Sequence, residues 1–87
     1  FPLLVAIYFD NIDIKSDIEK SIYYFTFAAN YNHLLSQFGL GYIYFIDKIF
    51  HDIKKAIYYL TLAADKNHLD AQFILGSIYS EKKKSIL

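Results

Sequence analysis

A stretch of 28 residues occurs twice without a gap, DIEKSIYYFTFAANYNHLLSQFGLGYIY at 17–44 and DIKKAIYYLTLAADKNHLDAQFILGSIY at 52–79, 35 residues on, with eighteen positions identical. Self-similarity at a period between about 20 and 50 residues marks a protein built from stacked supersecondary units. One such unit cannot bury its apolar face alone, so it lies against its neighbours. The surface left over is where such proteins bind others.

Two kinds of segment alternate within each copy. In the second, Ile53, Ala56, Ile57, Leu60, Ala63 and Ala64 recur at spacings of three and four, which places them on one face of an α-helix. Asp52 stands where an N-cap belongs, its carboxylate able to accept the first free N–H groups, and Asp17 holds the same place in the first copy. Asn32 and Asn67 follow at the point where a left-handed residue ends a helix, a conformation asparagine tolerates. These spacings predict type B helices over 17–31 and 52–66. A second type, A, is predicted over 34–46 and 69–81, with Leu-Gly-x-Ile-Tyr recurring in both copies. The first of these is apolar nearly all round, as befits a helix covered on every side. Residues 1–9 match the end of the same helix, Ile7-Tyr8-Phe9 answering Ile43-Tyr44-Phe45, with Pro2 suited to a first turn. The order is partial A, B, A, B, A, and the links (10–16, 47–51, and two or three residues after each B) are short enough to make neighbours antiparallel. The expected fold is all-α: an α-solenoid of stacked antiparallel helical hairpins, one array over residues 1–87.

Composition narrows the work such an array can do. Nine lysines balance nine acids, with no arginine, so the basic stripe of a nucleic-acid surface is missing. Lys82, Lys83 and Lys84 read as a solvated tail. Without cysteine there is neither a disulfide nor a thiolate metal site. That leaves the compartment open between the cytoplasm, which is favoured, and the secretory lumen. The apolar run 1–9 is too short for a bilayer, which needs about 20 residues, and it lacks the basic flank and cleavage site of a signal peptide. The chain has no methionine and opens partway through a hairpin, so it is expected to be a piece of a longer repeat protein. Its uncapped apolar ends imply self-association of the isolated piece.

Leu40-Gly41-x-x-Tyr44, Asp52-x-x-Lys55-Ala56-Ile57-x-Tyr59 and Ala63-Ala64-x-x-Asn67-His68-x-x-Ala71-Gln72 together resemble the Sel-one-like repeat, a relative of the tetratricopeptide repeat. The first copy carries the same pattern from Asp17 through Tyr24, Ala28 and Ala29 to Asn32 and His33. The resemblance covers nearly all of the chain and implies a tetratricopeptide-like superhelix. In such a stack Gly41 and Gly76, with Ala28, Ala29, Ala63 and Ala64, allow close helix approach, and Tyr44 and Tyr79 fill the groove between hairpins. It also implies a non-catalytic adaptor: relatives serve in signalling scaffolds and in membrane-associated degradation of misfolded secretory proteins, some beside a kinase domain. Where the family carries Gly-x-Gly-Val between helices A and B, this chain has Asn11, Asp13 and Ile14, then Asp47 and Ile49. Asn and Asp tolerate positive φ next best after glycine.

His33, His51 and His68 are the candidates for a base or metal ligand. His33 and His68 hold equivalent places in successive hairpins, which stack about 10 Å apart, too far to share a metal, and each reads as a partly solvated junction residue. No Ser-His-Asp order, phosphate loop or carboxylate pair stands out, so no enzyme, cofactor or metal is expected. In related solenoids helix A lines a concave groove. With Leu-Gly and Tyr turned to the core, Leu35, Phe38, Tyr42, Phe45 and Ile46 face that groove, and Asp70, Phe73, Ser77, Ser80 and Glu81 are their counterparts one repeat on. An apolar, aromatic-rich strip suits a protein partner. Equally, these residues can pack on a neighbouring repeat, and both readings stay open. Three other functions are consistent with helical repeats: RNA binding by 35-residue hairpins, which the neutral charge disfavours, a membrane-surface bundle, and a structural spacer beside a catalytic domain.

Overall fold

The computed structural model describes residues 14–86, with side chains over 15–81, and every element among them is an α-helix. Four follow in order: α1 Ile14–Asn30, α2 Leu34–Ile46, α3 Ile53–Ala64 and α4 Leu69–Ile86. Each packs chiefly on its neighbours in the chain, α2 on α3 most extensively. The layout is a row of hairpins, an α-solenoid with α1 and α3 as B helices and α2 and α4 as A helices. The partial helix expected over 1–9, and the residues up to 13 in the loop after it, lie outside the described residues.

The junction after each B helix is built from backbone chemistry that the repeated Asn-His encodes. Asn32 and Asn67 have φ of 68° and 67°. The Asn32 N–H returns to the Ala29 carbonyl (3.0 Å) and the His33 N–H to that of Ala28 (3.2 Å). Asn67 and His68 do the same to Ala64 (2.9 Å) and Ala63 (3.2 Å). These paired bonds are a Schellman ending, in which the left-handed residue lets two orphan carbonyls be satisfied. The histidine then begins the next helix. Nδ1 of His33 accepts from the Ser36 N–H (3.2 Å), and Nδ1 of His68 from that of Ala71 (3.1 Å). The imidazoles thus act as N-caps, the task more often given to Asp, Asn or Ser. Asp52 caps α3, its Oδ1 accepting from the Lys55 N–H at 3.1 Å.

Three local expectations are corrected. Helix α1 begins at Ile14, so Asp17 lies inside its first turn, not at the N-cap; there its charge complements the helix dipole. Asp47 has φ −72°, so it does not stand in for a left-handed glycine. Its Oδ1 accepts the N–H groups of Ile49 and Phe50, both at 2.9 Å, and the Asp52 N–H closes the loop on the Tyr44 carbonyl (2.9 Å). Aspartate serves this loop as an acceptor, through the local side-chain turn its short carboxylate favours. Finally, α4 runs to Ile86, so Lys82, Lys83 and Lys84 are helical in backbone rather than a tail.

The core lies between the repeats. Leu40, Leu60, Ala56, Ala63 and Ala71 are fully buried, with Ala29 and Ile78 nearly so. The small residues matter because they set helix spacing. A Cβ on Gly41 would stand 2.8 Å from Leu60 Cγ and 3.0 Å from the Leu60 backbone nitrogen, so α2 lies this near α3 only because position 41 has no side chain. Beside it Tyr44 stacks on Tyr59, with ring centres 6.2 Å apart, and Lys55 Nζ sits 5.3 Å above the Tyr44 ring. Gly76 does not repeat this role, since nothing among the described residues lies within 4 Å of its Cβ position. Tyr79 is exposed where Tyr44 is partly covered.

Candidate functional site

Successive residues on an α-helix are about 100° apart, so burial on α2 defines its faces. Ser36, Gln37, Leu40 and Gly41 point inward. Opposite them stand Leu35, Tyr42 and Ile46, which are 64%, 41% and 52% exposed. Phe38 and Phe45 lie round the helix toward the second repeat, where they are partly buried against the Ala56–Leu60–Ala63–Ala71–Ile78 cluster. The Phe38 ring lies 4.3 Å from that of His68, and Tyr42 stacks on Phe38 at 5.8 Å. The structure therefore divides the five α2 residues: three form an outward apolar strip, and two pack beneath it on the core shared with α3.

The counterparts on α4 do not divide in this way. Asp70, Ser80 and Glu81 are exposed, and Ser77 is partly buried with its hydroxyl donating to the Phe73 carbonyl (3.1 Å). Asp70, Ser77 and Glu81 correspond to Leu35, Tyr42 and Ile46, so the outward strip changes from apolar to polar and acidic within one repeat. Phe73 corresponds to Phe38, yet it is 77% exposed.

A polar clamp joins the repeats. Gln37, only 2% exposed, donates from Nε2 to the Ala29 carbonyl (3.2 Å) and accepts on Oε1 from Lys66 Nζ (2.8 Å). Lys66 Nζ also donates to the Asn32 carbonyl (2.7 Å). The lysine thus ties the end of the second repeat's B helix to the turn of the first, and among the described residues no buried polar side-chain atom lacks a partner. Sequence reasoning missed this clamp. Its signal was glutamine at positions 37 and 72, the same place in each copy of a mostly apolar helix.

Two of the histidines serve structure. Nδ1 of His33 and of His68 are occupied by helix capping, so Asp70 forms no pair through that nitrogen of His68. Among the described residues no three His, Cys, Asp or Glu side chains come together to hold a metal, and no helix is long and apolar enough to cross a membrane. Burial pushes the Tyr59 hydroxyl above its ordinary pKa of 10.0, with Tyr44 and Tyr58 adding to the rise.

The family model described as Sel1 repeat matches residues 5–33 and 34–68. The second matched unit is helix α2 followed by α3, so α4 is the A helix of a further unit. No curated protein and no solved structure matches the chain.

Proposed function

The chain belongs to the Sel1 repeat family, and we propose that it is a non-catalytic adaptor, a segment of a longer repeat protein, that holds a protein partner on the outward face of α2. Repeats of this family generally mediate protein–protein interaction, and that is the starting point. The observation that carries the finer reading is the strip Leu35, Tyr42 and Ile46, three large apolar side chains left in solvent on a helix whose opposite side is fully packed. Burying a side chain of this size contributes about 1.5–3 kcal/mol, and a tyrosine at the centre of such a strip is a typical hot-spot residue. Phe38 and Phe45 hold the strip from below by packing on the core cluster shared with α3. Asp70, Phe73 and Ser77 on α4 extend the surface, so the fitting partner is an apolar segment with a basic or hydrogen-bonding flank.

A photo-crosslinking amino acid placed at Tyr42, against the same group at Tyr58 on α3, tests this reading. Both positions are exposed. The Tyr42 adduct is expected to capture a protein partner from the source cell, with capture competed away by excess unlabelled chain but not by the Leu35→Asp/Tyr42→Asp/Ile46→Asp variant. Equal capture from both positions, or full competition by the triple variant, would remove the α2 strip from the account.

A further inference from the structure

The loop that joins α2 to α3 carries apolar side chains that the fold leaves in solvent. Ile49, in its turn, is 62% exposed, and Ile53, the first residue of α3, is 36% exposed. The loop lies inside the described array, between α1 before it and α4 after it, and closes where the Asp52 N–H meets the Tyr44 carbonyl (2.9 Å). Cations flank the isoleucines. Lys48 and Lys54 are exposed, as is His51, and among the described residues neither lysine ammonium has an ion-pair or hydrogen-bond partner. Both acids of the loop are spent on backbone. Asp47 Oδ1 accepts from the N–H groups of Ile49 and Phe50, and Asp52 Oδ1 from that of Lys55. Amides already bonded in this way remove much of the cost of taking the turn out of water. Lys54 and Lys55 also occupy the first turn of α3, where the helix dipole disfavours a cation. Lys55 is held over the Tyr44 ring, but Lys54 is not, and the first copy has Glu19 in its place.

We propose that this loop is a contact site for an anionic lipid surface. Ile49 and Ile53 enter the boundary between headgroups and acyl chains, and Lys48 and Lys54 meet the phosphates and carboxylates above it. Such attachment grows with the apolar area buried and with the attraction between lysines and anionic lipid. Lysine suits the place because its stem lies along apolar matter while the ammonium stays in the charged layer. A protein interface favours aromatic residues and arginine and is depleted in lysine. The exposed positions of this loop are mostly isoleucine and lysine, and the chain has no arginine. A single loop of this kind gives weak, reversible and salt-sensitive attachment. Ile46 beside it belongs to the outward strip of α2, but the proposal needs neither that residue nor a protein partner on the strip.

The chain contains no tryptophan, so Ile49→Trp places a sole indole in the loop. Tyr31→Trp places one at an exposed position in the turn before α2, at the other end of that helix. Each is titrated with vesicles of phosphatidylcholine containing phosphatidylserine, and with vesicles of phosphatidylcholine alone. A saturable blue shift, with quenching by brominated acyl chains, is expected for Ile49→Trp on the anionic vesicles only. Adding Lys48→Gln/Lys54→Gln should weaken it about tenfold or more, and raised salt should act in the same direction. The unsubstituted chain should co-sediment with the anionic vesicles, and Ile49→Ser, of unchanged helicity by circular dichroism, should do so about tenfold more weakly. No shift with either vesicle, equal shifts from both reporters, binding indifferent to the two lysines, or failure of the unsubstituted chain to co-sediment overturns the proposal. So does an equal blue shift with polyglutamate in place of lipid, which would make the loop a contact for an acidic protein.

Discussion

Two glycines at equivalent positions, one packed and one open, give a paired experiment in which the largest confounding effect cancels. Replacing glycine by alanine inside a helix stabilises it by about 0.8–1.0 kcal/mol through propensity alone. Gly76→Ala should show that gain undiluted, because nothing among the described residues lies within 4 Å of the new methyl. Gly41→Ala meets Leu60 Cγ at 2.8 Å and the Leu60 backbone nitrogen at 3.0 Å, well inside the roughly 3.5–4.0 Å at which carbon atoms rest. The leucine side chain can turn away, but its nitrogen belongs to α3, so the helices must separate by several tenths of an ångström. Overpacking of this kind costs about 1–3 kcal/mol. The difference between the variants isolates that cost, since propensity enters both equally. At about 4–8 °C per kcal/mol for a chain of this size, Gly41→Ala should melt well below Gly76→Ala in parallel calorimetric scans. Coincident melting temperatures, or a more stable Gly41→Ala, would refute the close α2–α3 approach.

Other perturbations bear on the junctions. His68→Ala should lower stability by about 1 kcal/mol through loss of the cap, and His68→Asn should recover part of it, because asparagine is among the best N-caps; urea midpoints of the three proteins measure this. Lys66→Met strands the buried Gln37 oxygen and should cost about 1 kcal/mol. In a double-mutant cycle with Gln37→Met the two losses should fail to add by at least about 0.5 kcal/mol. For Tyr59, burial favours the neutral phenol in the folded state, so its folded pKa lies above the unfolded 10.0. The associated stability is complete below pH 10 and is lost as pH rises through the folded pKa. Tyr59→Phe should flatten that alkaline loss in denaturation series run between pH 9 and 11.

Much of this architecture is written in the period of the sequence. A shift of 35 residues maps Asn32 on Asn67 and His33 on His68, and the structure turns both pairs into the same Schellman-to-cap junction. The helix faces were less accessible, because α2 is apolar nearly all round. Periodicity could not separate Phe38 and Phe45, which wedge against the second repeat, from Leu35, Tyr42 and Ile46, which do not. That separation depends on where α3 lies, and Gly41 decides it through contact with Leu60. Aspartate at position 47 misled for another reason: residue type alone does not distinguish a residue tolerated at positive φ from one chosen for its acceptor oxygen. The Gln37–Lys66 clamp was hidden because its members are 29 residues apart and meet only in the stack. Gly76 and Phe73 match their first-copy counterparts in sequence, and only the structure shows that no described residue packs on Gly76 and that Phe73 is exposed among the described residues.

Leu35, Tyr42 and Ile46 stand outside the packing of the fold, whereas Phe38 and Phe45 hold α2 against α3 and the core beside it. Equilibrium urea unfolding of Leu35→Ser/Tyr42→Ser/Ile46→Ser beside Phe38→Ala separates the two groups. Exposed substitutions stay within about 0.5 kcal/mol each, whereas truncating a packed phenylalanine costs about 3–5 kcal/mol when fully buried and should cost more than about 2 here. The triple variant should keep a stability close to the parent's, and Phe38→Ala should unfold at distinctly lower urea. A triple variant that loses more than about 2 kcal/mol in total, or a Phe38→Ala variant as stable as the parent, would overturn this division.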